Sequence, residues 1–109
     1  MEKREQARLV PEGAVKCTVE WDKGRENGVI HNISSKGALL EAKSDFGISK
    51  INLTLDFAPT GESIRVTAAI RWHAVSPQDQ TDHYGLVFRL DEGTREKLDA
   101  AIAALMDES

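Results

Sequence analysis

At 109 residues the chain is the size of one ordinary domain and can bury one core. Hydrophobic residues at 40% and charged residues at 29% exclude wholesale disorder, and no apolar run reaches the roughly 20 residues of a membrane-spanning helix. A formal net charge of -4 excludes a general affinity for nucleic acid or anionic membranes, because such binding rests on neutralising phosphates.

The first residues, through Arg8, are rich in charge and lack the apolar stretch of a secretory signal, so a cytoplasmic protein is expected. Residues 1–12 read as a flexible leader and 13–109 as one domain. Residues 15–21 alternate apolar and polar side chains over a full strand length. The lone Cys17 falls within this alternation, where a buried, inert thiol is expected. Residues 22–28, with two glycines, read as a turn-rich break. Short strands follow at 29–33 and 38–42, separated by the polar run Ser34, Ser35, Lys36 and Gly37. Strict alternation marks 51–57; Ala58, Pro59, Thr60 and Gly61 then suggest a hairpin into a strand at 64–72. A polar loop at 76–82 precedes a last strand at 84–90. From Thr94 the period changes, and Leu98, Ala101, Ile102 and Leu105 recur at helical spacing, with Thr94 as the expected cap. Several short strands and one helix describe a mainly β domain, a barrel or sandwich with a C-terminal helix docked on it.

Two polar clusters stand outside this hydrophobic pattern. Arg4 and Arg8 flank a leader with no apolar reason to be ordered; arginine grips phosphates or the O6 and N7 acceptors of guanine bidentately. Asn32 and Ser34, two apart, point to one face of an extended segment, and Gly37 permits a positive φ or a close backbone approach. Separately, these are what a solvated terminus and an ordinary turn contain. His31, His73 and His83 are scattered without ligand spacing, and one cysteine makes no zinc pattern, so no metal site is expected. No phosphate-binding glycine loop or nucleophile elbow occurs, so no enzyme is expected.

Taken together, Arg4-Glu-Gln-Ala-Arg8 and Asn32-Ile-Ser-Ser-Lys-Gly37 resemble the double signature of the PilZ family. The strand ending in Ala69, Ile70, Arg71 and Trp72, the segment 85–88 and the C-terminal helix extend the likeness over nearly the whole chain. The resemblance implies a six-stranded antiparallel β-barrel with a C-terminal helix that binds cyclic di-GMP on its outer face and uses no cofactor. It also implies that Arg4 and Arg8 contact phosphates and guanine faces, and that Asn32 and Ser34 bond a guanine edge. Gly37 would keep the turn open. Lys3 takes the place of a basic residue before the first arginine, and Trp72 is a weaker stacking candidate. The implied role is a second-messenger receptor acting on a protein partner, in processes such as motility or biofilm formation. The alternative is a PilZ-like interaction module that has lost its nucleotide.

Overall fold

The structure, a computed structural model, describes residues 8–11, 13–44, 46–47, 50–76 and 81–107. Among them are seven strands and one helix: β1 (Arg8–Leu9), β2 (Val15–Trp21), β3 (Gly24–Ile33), β4 (Gly37–Ala42), β5 (Lys50–Phe57), β6 (Glu62–Ser76), β7 (Thr81–Arg89) and α1 (Glu92–Asp107). All pairings are antiparallel, in the order β1-β3-β2-β5-β6-β7-β4, and β3 also pairs with β4. That last pairing closes β2 to β7 into the expected six-stranded barrel, which removes the open edges of a flat sheet. β1 is an addition to it: Arg8 pairs with Ile33 and Leu9 with Asn32.

Alternation carries the core as expected. Val15, Cys17 and Val19, then Ile51, Leu53, Leu55 and Phe57, then Ile64, Val66 and Ala68 all point inward and are buried. Leu98, Ala101, Ile102 and Leu105 bring the apolar stripe of α1 into the same cluster. Near Tyr84 a line of rings runs from the buried Phe46 and Tyr84 out to the surface: Trp21 against Phe46 at 4.6 Å, Phe46 against Tyr84 at 4.8 Å, and the exposed His73 against Tyr84 at 4.4 Å between centroids. The Tyr84 hydroxyl donates to the Ser44 carbonyl at 2.7 Å and accepts from the Phe46 amide at 3.2 Å, pinning the connection after β4.

Three local expectations change. The break expected at 22–28 is a two-residue turn, with Trp21 paired to Gly24, and β3 runs through the rest. Gly28 is in the strand for space: a Cβ there would meet the Leu40 side chain at 2.6 Å. The loop expected at 76–82 shortens because β6 and β7 pair out to Ser76 and Thr81, along an arm whose polar residues read as a loop. The helix cap is Asp91, whose Oδ1 accepts the Thr94 amide at 2.7 Å, and α1 starts at Glu92 rather than at Thr94. The expected β5–β6 hairpin is present, turning through 58–61 where the Gly61 amide bonds the Phe57 carbonyl at 2.8 Å and Gly61 takes φ 73°.

Candidate ligand-binding site

Two β-bulges shape one patch of the outer wall. On β3 the register shifts between Ile30 and Asn32, so Ile30 and Ile33 both point inward although three positions separate them. His31 and Asn32 are thereby both turned toward the outside. On β6 the register shifts between Ile70 and Trp72, which sets Arg71 and Trp72 on the surface. A depression of ≈ 420 Å³ lies between these strands and is lined by Asn32, Ser34, Lys36, Gly37, Arg71, Trp72 and Gly85, with neighbouring residues of β4 and β7. That volume lies within the range of small-molecule sites.

Of the residues singled out from the sequence, Asn32, Ser34, Gly37 and Trp72 come together here. Asn32 and Ser34 share the face, with Ile33 between them wholly buried. Ser34 also holds its own turn: its hydroxyl accepts the Lys36 amide at 3.1 Å and its amide bonds the Gly37 carbonyl at 2.9 Å. Lys3 and Arg4 lie outside the described residues. The backbone of Arg8 is on β1 beside Ile33, one residue from Asn32 on β3.

The reason for Gly37 differs from the one expected. It is not among the positive-φ glycines, and a Cβ on it would run into the Leu86 carbonyl of β7. Its missing side chain lets β4 and β7 close where Gly37 lines the depression. Gly85 plays the more direct part. It is paired with Trp72, and a Cβ there would collide with the indole, so the glycine gives the ring its resting place on β7. The indole remains 51% exposed, a flat apolar surface held above the sheet. Sequence reasoning missed Lys36, Arg71 and Gly85. Lys36, Arg71 and Gly85 sit in segments that carry the family likeness, but the part of Gly85 is a cross-strand one, a glycine opposite a tryptophan, and becomes visible once the register is known.

Around the next turn of the wall, the sheet unites histidines that are far apart in sequence. His31 on β3 bonds Glu41 on β4 at 2.6 Å, and His83 on β7 lies 3.9 Å from the same carboxylate. The His31 hydrogen bond, more than the nearby imidazole charges, holds the Glu41 carboxyl below its ordinary value.

The geometry has counterparts among solved structures. K. pneumonia MrkH in complex with c-di-GMP is similar with a TM-score of 0.78 at 16% identity, over 99% of this chain and 54% of that one. The Bacillus subtilis inhibitor of motility, MotI/DgrA, is similar with a TM-score of 0.67 at 14% identity, over 97% of this chain and 53% of its own. An uncharacterized Legionella protein matches with a TM-score of 0.66 at 20% identity, over 92% of this chain and 94% of that one. The chain thus spans about half the length of MrkH and MotI. No curated protein matches it by sequence. Those likenesses are of fold; the sequence itself goes further, because the PilZ domain profile matches residues 2–104. With the profile covering nearly the whole length, the chain belongs to the PilZ domain family.

Proposed function

We propose that this chain is a cyclic di-GMP receptor that acts through a protein partner and catalyses no reaction. The observation that carries the reading is the convergence of Asn32, Ser34 and Trp72 with the cations Lys36 and Arg71 in one depression, beside the strand on which Arg8 lies. A cyclic dinucleotide has two flat bases and two phosphates. The indole offers a stacking face, Asn32 and Ser34 offer acceptors to the N1 and N2 donors of guanine, and the cations offer charge to phosphate. Arg4 and Arg8, with Lys3, would close over the nucleotide from the leader. Because β1 is short and joined to β3 next to Asn32, a ligand held from both sides would tie the leader to the barrel and change the surface shown to a partner.

Titration calorimetry with cyclic di-GMP and cyclic di-AMP at one fixed salt concentration tests this. Adenine lacks the N1 and N2 donors and places an amine where guanine has O6. Each unpaired buried polar group costs about 1 to 3 kcal/mol, so with two bases affected cyclic di-GMP should bind at least about 25-fold more tightly. No binding of cyclic di-GMP would overturn the receptor reading, and equal affinities would overturn the guanine-reading role of Asn32 and Ser34.

A further inference from the structure

His31, Glu41 and His83 come from three strands and meet on the barrel wall, and nothing in the nucleotide reading uses them. Register explains the meeting. Glu41 and His83 are directly paired across β4 and β7. Glu41 also pairs with Val29 on β3, and the bulge after Ile30 brings His31 round to the same carboxylate. His31 Nε2 is 2.6 Å and His83 Nε2 3.9 Å from Glu41 Oε1. The two imidazoles lie 5.9 Å apart between centroids at an interplanar angle of 27°, so they address the carboxylate side by side. One donor atom from each residue lies within 4.8 Å of the others.

We propose that these three side chains bind a divalent transition-metal ion of the zinc type. Tetrahedral Zn²⁺ with nitrogen and oxygen ligands at about 2.0 to 2.2 Å sets its donor atoms about 3.3 Å apart. To reach that value the His83–Glu41 contact must shorten and the short His31–Glu41 contact lengthen by less than about 1 Å each, and the two imidazole donors, within 4.8 Å of one another, must draw in by up to about 1.5 Å. The side chains can make the adjustment, being 41%, 26% and 28% exposed for His31, Glu41 and His83. Two imidazoles and one carboxylate suit Zn²⁺, Co²⁺ or Ni²⁺ rather than Ca²⁺ or Mg²⁺, which favour oxygen ligands. Three protein ligands leave a position open to water. A single His–Glu pair needs one imidazole, whereas here two are turned to the same carboxylate oxygen. None of the three lines the nucleotide depression, although His31 adjoins Asn32, and the proposal does not depend on the receptor reading.

The test uses the full chain stripped with a chelator and titrated with Zn²⁺ by calorimetry, and with Co²⁺ followed by its visible absorption. One equivalent should bind. Glu41→Gln and His83→Ala should each weaken binding at least about tenfold, since even outer-shell changes at metal sites cost 10- to 100-fold. His73→Ala, which removes the histidine outside the cluster, should leave the affinity unchanged. In the unaltered protein, paramagnetic Co²⁺ should broaden the amide resonances of residues 30–32, 40–42 and 82–84 first, a readout that survives if a variant fails to fold. Absence of Zn²⁺ binding, affinity unchanged in both Glu41→Gln and His83→Ala, or broadening centred elsewhere would overturn the proposal.

Discussion

Gly37 and Gly85 border the same depression, yet a methyl group added to each would act on different things. At Gly37 it would strike backbone, the Leu86 carbonyl, which cannot move without loosening the β4–β7 ladder. Gly37→Ala should therefore lower stability by about 1 to 3 kcal/mol, the usual cost of overpacking, read as a shifted denaturation midpoint. Trp72→Ala removes a half-exposed ring and should barely move that midpoint. It should instead weaken cyclic di-GMP by about 5- to 140-fold, from about 1 to 3 kcal/mol per stacked base. A large stability loss in Trp72→Ala with intact binding would make the tryptophan structural. Cys17 presents the opposite case of a reactive group made inert. It is 2% exposed, and burial first, then the Asp56 charge, push its thiol up to about 12. The thiolate is the nucleophile, so iodoacetamide at about pH 8 should leave the native protein unmodified and label it only in denaturant. Labelling of the folded protein at the rate of a free thiol would contradict the buried position.

At the scale of the element, α1 shows how one cap can write a pH dependence. Asp91 accepts the Thr94 amide at the start of the helix, and that bond holds its carboxyl below the ordinary aspartate value. A carboxyl lowered in the folded state contributes stability that is complete above its unfolded value and is lost as pH falls through the folded one. Asp91→Ala should thus melt at a lower temperature than the parent at neutral pH, and the gap should close in acid. Melting curves across that range check it; a gap independent of pH would mean that the carboxylate is not the capping group. The bulges on β3 and β6 belong to this scale too. Each adds a residue to one strand and rotates the next side chains, which is how Asn32 and Trp72 come to face a common space.

For the molecule as a whole, the proposed mechanism joins the short strand β1 to a closed barrel. β1 has only two residues, and Leu9 in it is 79% exposed, so little apolar burial opposes its opening. Besides the strand pairing, the Val10 amide bonds the His31 carbonyl at 2.9 Å, again on β3. Hydrogen exchange of the amides up to residue 10 should be fast without ligand and slow by at least about tenfold with saturating cyclic di-GMP, whereas the barrel strands should change little. Unchanged exchange at saturation would count against the leader as a clamp. No helix among the described residues is long and apolar enough to cross a membrane.

What the sequence determined alone is the repeating part: alternation on β2, β5 and the first half of β6, the helical stripe at Leu98, Ala101, Ile102 and Leu105, and the polar turn with Asn32, Ser34 and Gly37. These are local, because a period of two or 3.6 is set by backbone geometry and shows in neighbouring residues. The β3 glycines misled because Gly28 serves packing against Leu40, a contact with no local signature. Tertiary structure decided everything that needs two strands at once. The closing β3–β4 pair, the bulges, the rest for Trp72 on Gly85 and the gathering of His31, Glu41 and His83 all depend on register. Register is settled by which faces bury together across the barrel, and a one-residue slip would turn each of these side chains to the other face.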